Sequence, residues 1–371
     1  MSSQSNRQLK RIVIDARESG TTTGRYVDKL VEHIYQLRPN YQFVILAKPH
    51  RLDFFKQVAP DFEIIESNVK EFTFAEQTKL LQQFKSLKPD LLFVPMTQQP
   101  ILYRGPVVTA ILDLTTARFR NLSKNRLIFT FKQLVYRCVI WIVAHKSVQI
   151  ITPSQFVRQD VAAYAHVNLS KITAIYDSAD KLTIATQAYD PAKGKQFIMY
   201  VGRPLSHKNL NRLVDAFNLL DRPDLQLIFV GKTDVLYQKL RTYAQTTPAA
   251  KRIIFAGFVP DAQLRWLYEH ATAYVFPSLS EGFGLPPLEA MHYNTPVVSS
   301  NATCLPEVLQ DAALYFDPLS SADMADKIDQ LLSDPHLAAQ LVASGRHIVA
   351  SYSWQRTAQQ TLDVFAKALR D

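Results

Sequence analysis

The residues best suited to chemistry stand between Phe276 and Ala290, in the stretch FPSLSEGFGLPPLEA. An apolar, strand-like run ends at Phe276. A loop with Gly282 and Gly284 follows, and Pro286-Pro287 then open a helix, where a missing N–H costs nothing. The amides and dipole at such a helix start favour an anion, and the glycines let a phosphate or sugar approach the backbone closely. Glu281 lies in the loop, beside a ligand. Glu289, expected in the first helical turn, can accept from both hydroxyls of a ribose. The bland alternative is an ordinary strand-to-helix loop with an acidic helix start. A second set is VGRPLSHKN, Val201 to Asn209, in which a strand ends at Gly202 and Arg203 and Lys208 precede a helix. Two cations at such a turn suit a diphosphate, Arg as a bidentate fork and Lys as a point charge. As solvated surface charges they would need no ligand. A third set, GTTTGR from Gly20 to Arg25, lacks the full G-x-G-x-x-G spacing and is weak by itself.

Other chemistries find no support. The chain has no D-x-D pair for a divalent metal, no H-E-x-x-H, no G-x-S-x-G and no G-x-x-x-x-G-K-[ST]. The two cysteines, Cys138 and Cys304, are far apart, which argues against a disulfide framework and fits a reducing compartment. The start, MSSQSNRQLKRIVID, has no signal-type apolar region, and the most apolar run, Cys138 to Ala144, is too short to span a bilayer. The expectation is a cytoplasmic protein, peripheral at most to the inner face of a membrane. The net charge is +9 in 371 residues, and the segment 104–158 holds nine Lys/Arg against the single acid Asp113. That stripe requires an anionic partner or a solvated face. Its aromatics, Phe119, Phe129, Phe131, Tyr136 and Trp141, lie in a helical-looking run. This favours core or membrane contact over base stacking, and no nucleic-acid partner is expected.

In the elements that must hold these residues, apolar runs alternate with helical patterns along the whole chain. Strands are expected at Arg11–Asp15, Phe43–Ala47, Leu91–Val94, Val107–Ile111, Val148–Thr152 and Ile172–Tyr176. Helices are expected from Arg25 and over Phe74–Leu87. The stretch Asp180–Lys195, with Pro191 and Gly194, reads as a linker. The pattern restarts with strands at Phe197–Val201, Leu225–Val230, Ile253–Ala256, Ala273–Phe276 and Val297–Ser299. Helices are expected at Asn209–Leu220, Leu264–His270, from Pro287, at Ala322–Leu332 and at Ser353–Leu369. Such alternation builds parallel α/β sheets. The boundaries expected are 1–182 for a first Rossmann-like, acceptor-binding domain, 195–350 for a second, nucleotide-sugar-binding domain, and 351–371 for a helix returning to the first.

Taken together, these residues resemble the retaining GT-B fold glycosyltransferases of family 4, also called glycosyl transferases group 1. The specific element is the E-x7-E signature, Glu281-GFGLPPL-Glu289. Around it stand VGRPLSHKN, GFVPDAQL (Gly257–Leu264), FPS (Phe276–Ser278) and LPEV (Leu305–Val308). The IDAR (Ile14–Arg17) and TGRY (Thr23–Tyr26) segments look like the branch rich in transferases of bacterial glycan assembly. The resemblance implies two Rossmann-like domains facing each other across a cleft. It implies Arg203, Lys208 and Glu281 as catalytic residues, the cations neutralising the donor diphosphate. Gly24, Asp113, Gly202, Val259, Gly282, Phe283, Gly284, Leu285 and Glu289 would then hold the donor, Val259 by backbone contact to the base. No cofactor and no metal are implied, since cations and dipoles supply the electrostatics. A nucleotide-diphosphate sugar is the co-substrate and a glycan or lipid-linked glycan the acceptor.

Three positions depart from the family pattern. Leu112-Asp113-Leu114 stands where the family has His-Asp-Leu, which points to a donor sugar lacking a hydroxyl, a deoxyhexose or pentose, or else to a non-catalytic subunit of a glycan-assembly complex. Asn294 replaces a glycine, and Asn is the side chain best able to take the left-handed conformation. Asp177-Ser178-Ala179-Asp180 replaces Asn-Gly-Val-Asp.

Overall fold

The computed structural model describes residues 9–370 apart from 22, 72 and 120–125, and of 126–129, 131 and 132 only the backbone. The chain forms two compact units. The first comprises 1–117, 130–177 and 353–371, and the second 118–129 and 178–352.

In the first unit the strands are β1 (Arg11–Asp15), β2 (Gln42–Ala47), β3 (Glu63–Glu66), β4 (Leu91–Val94), β5 (Val107–Ala110), β6 (Gln149–Thr152) and β7 (Ile172–Ala174). They form one parallel sheet in the order β3-β2-β1-β4-β5-β6-β7, with Ile12 opposite both Phe43 and Leu91. Strands of a covered parallel sheet bury both faces, so they read as unbroken apolar runs such as LLFV and VVTA. The helix Arg25–Leu37 buries Tyr26, Val27, Leu30, Val31 and Ile34, one stripe at the 3.6-residue period. The C-terminal helix Trp354–Ala368 returns to this unit. Its Trp354, Leu362 and Phe365 join the core around Ile12, Ile14 and Phe93, and Phe365 meets Phe93 at 5.1 Å between ring centroids.

The second unit holds β8 (Phe197–Val201), β9 (Gln226–Val230), β10 (Ile253–Gly257), β11 (Ala273–Phe276), β12 (Val297–Ser300) and β13 (Ala313–Phe316). Its parallel order is β10-β9-β8-β11-β12-β13. Both sheets thus start with the middle strand, wind to one edge and then to the other, the Rossmann order. Each reverses direction at one place, between β1 and β4 in the first unit and between β8 and β11 in the second.

The structure differs locally from the sequence expectation. Over the expected helix Phe74–Leu87 it has a π turn at Glu76–Leu80 followed by an α-helix at Leu81–Leu87. Glu76 there reaches the fully buried Arg17 at 3.3 Å, and Arg17 also forks onto Asp15 at 2.8 Å. The short edge strands β3 and β13, the helix Val235–Gln245 and the helix Pro335–Ser351 are additional to the expected set.

Candidate functional site

Two sequence-marked loops flank the place where the second sheet reverses. One leaves β8 and the other β11, and in open α/β sheets the crevice outside the strand ends at such a switch point is where ligands bind. Lys208 Nζ lies 2.6 Å from Glu281 Oε1, with both side chains largely buried, and sits 5.6 Å above the Phe276 ring. The loops are laced by backbone as well. Leu279 N donates to His207 O at 2.7 Å, and Glu281 N donates to Thr303 Oγ1 at 3.2 Å. Asn209 adopts φ +61°, which Asn tolerates better than other side chains, and its buried amide donates to Pro277 O and Pro318 O. Burial, with the neighbouring Lys208 charge, pushes the His207 imidazole down to about 4. His207 is therefore neutral at pH 7.

Glycines keep the strand ends bare. Gly202 has φ +143°, and a Cβ there would stand 2.9 Å from the Tyr200 hydroxyl. A Cβ on Gly231 would meet Gly202 O at 2.4 Å, and Gly257 has φ +69°. Gly231 N donates to Gly257 O and Gly202 N to Val230 O, so the three glycines sit side by side across β8, β9 and β10. Gly284 has φ +93°, with Leu305 at 2.7 Å from a Cβ. A larger residue at any of these would be strained or would displace its neighbours.

Of the other expected site residues, Arg203 pairs with Asp234 at 2.6 Å and is half exposed. Asp234 also caps the helix Val235–Gln245, accepting from Leu236 N and Tyr237 N. Burial raises its pKa, but the Arg203 and amide hydrogen bonds outweigh that and hold it below the usual carboxylate range. The helix expected to open at Pro287 begins at Leu285, so Glu289 is its fifth residue and lies beyond the first turn. Because Pro286 and Pro287 carry no N–H, the free donors at this helix start are those of Leu285 and the loop ahead of it. Glu289 accepts from the Tyr268 hydroxyl at 3.1 Å. Phe283 is buried against Tyr352, ring centroids 5.4 Å apart, and Gly282 and Phe283 both interact with their surroundings. Val259, buried, comes just after β10.

In the first unit, Gly24 stands at the start of the helix Arg25–Leu37, where a Cβ would lie 1.7 Å from Glu18 O. The tight turn alone demands a glycine there. Asp113 accepts from Thr115 N at 2.7 Å. Leu112 packs, half-buried, against the core around Ile12 and Phe93. That packing accounts for an apolar side chain without reference to a sugar. Asn294 has φ +61°, as its glycine-like role requires, and accepts from Arg346 at 2.7 Å.

Residues 184–348 match the family described as Glycosyl transferases group 1. Residues 184–348, all within the second unit, are a glycosyl transferases group 1 domain. Among relatives, this chain is 36% identical over 176 residues to the O-antigen chain mannosyltransferase B of Escherichia coli, covering 46% of this chain and 45% of that one. The chain spans about half the length of the mannosyltransferases it matches, or less. By structure it is similar to a sucrose-phosphate synthase from Thermosynechococcus elongatus, TM-score 0.76 at 18% identity over 96% of this chain and 98% of that one. It is also similar to Anabaena HepE in complex with UDP-glucose, TM-score 0.74 at 17% identity over 96% and 99%. The fold is GT-B: two parallel-sheet α/β units.

Asp234, Asn209, Tyr268 and Thr303 are parts of the site that sequence reasoning does not single out. Asp234 has a local signature, an acid just before a helical run. Asn209 ends a quoted motif. The partners of Tyr268 and Thr303 are distant in sequence and carry no local mark.

Proposed function

We propose that the protein is a retaining glycosyltransferase that moves a sugar from a nucleotide-diphosphate donor to a glycan or lipid-linked glycan. The observation carrying this reading is the Lys208–Glu281 pair at the switch point of the second sheet, beside three bare glycine strand ends. A diphosphate drawn to that place takes the Lys208 ammonium as counter-charge. Arg203 reaches the same diphosphate by leaving Asp234, which stays satisfied by two amides. Glu289 receives the ribose hydroxyls and the backbone at Val259 the base.

In the reaction the bond from sugar C1 to the donor phosphate oxygen breaks, and C1 bonds to the acceptor oxygen on the same face. The acceptor proton passes to the departing phosphate. Lys208 and Arg203 stabilise the charge that grows there, and no metal is required. The relatives in O-antigen assembly and the neighbour solved with UDP-glucose support this class of donor and acceptor. The test is nucleotide release from a panel of UDP, GDP and TDP sugars, with and without a glycan acceptor and in the presence of EDTA. Acceptor-dependent, EDTA-resistant release with retained anomeric configuration is expected. A strict Mg²⁺ requirement or inverted product overturns the mechanism. No release from any donor favours a non-catalytic glycan-assembly subunit.

A further inference from the structure

Glu281 is nearly buried, and in the ligand-free protein its charge is neutralised by Lys208 at 2.6 Å. If Lys208 turns to a donor diphosphate, this carboxylate loses its partner in a place that water scarcely reaches. An uncompensated buried charge is costly, so the site needs a second donor to Glu281. Tyr200 is placed to be that donor. It is the fourth residue of β8, fully buried, and its hydroxyl has no hydrogen-bond partner among the described residues. The ring stacks on Phe276, 6.3 Å between centroids, and Phe276 is the ring under the Lys208 ammonium. The hydroxyl points to the strand end, where the bare Gly202 leaves it room. Burial, reinforced by the Glu281 charge, raises its pKa well above the ordinary tyrosine value, so it remains a donor at every working pH. A buried hydroxyl without a partner destabilises the fold by its lost solvation, so packing gives no reason for a hydroxyl at this place.

We infer that Tyr200 is a positioning residue whose hydroxyl donates to Glu281 when Lys208 is drawn to the donor diphosphate. The inference rests on the function proposed above and adds to it the residue that holds Glu281 in place in the loaded site.

The experiment compares wild type, Tyr200→Phe, Glu281→Gln and the double variant, using the full chain. Two quantities are read: the melting temperature without ligand, and the dissociation constant of the best-binding free nucleoside diphosphate by calorimetry. Tyr200→Phe is expected to melt at the same temperature or higher, because it removes an unpartnered hydroxyl. It should bind the diphosphate about ten-fold more weakly, the scale of one hydrogen bond to a charge. In the Glu281→Gln background the same change should have a clearly smaller effect, since an amide oxygen accepts a weaker hydrogen bond than a carboxylate. The inference is overturned by unchanged affinity in Tyr200→Phe, by an equal loss in both backgrounds, or by a lowered melting temperature without ligand. A loss on Ser278→Ala instead, a second buried hydroxyl of this neighbourhood with no partner among the described residues, assigns the role elsewhere and also overturns it. If the wild type binds no nucleoside diphosphate, the proposed function itself has failed, and the inference with it.

Discussion

Lys208 and Arg203 carry the same charge in different settings, and their variants should separate. Lys208→Met leaves Glu281 nearly buried without its counter-ion, so it should both destabilise the ligand-free protein and weaken diphosphate binding. Arg203→Ala removes a half-exposed group from an Asp234 that keeps two amide donors, so the melting temperature should hardly move. For each, calorimetry should show a loss of diphosphate affinity of about 1.5–3 kcal/mol, a hydrogen bond to a charge. Unchanged affinity in both would remove the site from this loop.

A third residue gives a pH signature. Asp177 is buried beside Tyr26 with its Oδ1 unpartnered among the described residues, and burial pushes its carboxyl up to about 8 against the opposing pull of Arg25. Its unfolded value is about 3.9. Between those values the folded form holds a proton that the unfolded form has lost, so stability from this group is complete below about 4 and declines as pH rises toward 8. Asp177→Asn, the amide of the family pattern, should abolish that decline. Melting curves of the two proteins from pH 5 to 8.5 should diverge, with the variant ahead at the alkaline end.

The helix Trp354–Ala368 is the element whose removal should matter most. It is last in the chain but completes the core of the first unit, burying Trp354, Ala358, Val364 and Phe365 among residues of β1, β4 and the helix Arg25–Leu37. Thr357 Oγ1 also donates to Tyr176 O at 2.7 Å, tying the helix to the chain just beyond β7. Phe365→Ala should cost about 3–5 kcal/mol, the transfer and cavity terms of a buried aromatic. Thermal unfolding recorded by calorimetry should show the loss in one transition only, because the second unit has its own sheet and core. A uniform shift of all transitions would contradict this. At the site itself, β8 and β11 are ordinary buried strands. What sets them apart is the loops that leave them, where Gly202, Asn209 and Gly284 stand at positive φ.

For the whole molecule, the basic segment 104–158 raises membrane docking. Of its nine cations, Lys146 is turned inward, donating to Pro100 O at 2.6 Å, and burial lowers its pKa to about 8. Arg158 donates to Ile172 O and Leu169 O, and Arg137 to Ala117 O. Arg120 and Lys124, and the side chains of Arg126, Phe129, Phe131 and Lys132, lie outside the described residues. Part of the charge therefore serves the fold by capping carbonyls. Among the described residues of the helix Arg126–Lys146, Leu134, Val135 and Trp141 are exposed, and among the described residues of the chain no helix is long and apolar enough to cross a membrane. We propose that this face rests on an anionic bilayer, with basic residues contributing about 1 kcal/mol each. Cosedimentation with phosphatidylserine-rich vesicles should be strong at low salt, weak at high salt, and reduced by Leu134→Ser with Trp141→Ser. No binding at low salt would end the idea.

Much of this protein is legible in the sequence because its signals are local. An apolar run between turn residues is a strand in most contexts, which is why VVTA, FIMYV and AYVF are readable where they lie. The glycines at 202 and 284, and Asn294 in the place of one, mark backbone conformations that few other residues adopt, and all three occur at positive φ. The two α/β halves result from the alternation of such runs. Strand order does not, because it depends on which apolar faces meet after the chain has folded, and the switch point between β8 and β11 exists only in that order. The edge strand β3, EIIE, begins and ends on a charged residue, so no apolar run marks it. Ion pairing is the least legible of all. Lys208 with Glu281, Arg203 with Asp234 and Arg17 with Glu76 join residues 73, 31 and 59 positions apart. Any cation in the chain is attracted to any acid, and only the packed backbone decides which two are brought within hydrogen-bonding distance and how far they are shielded from water.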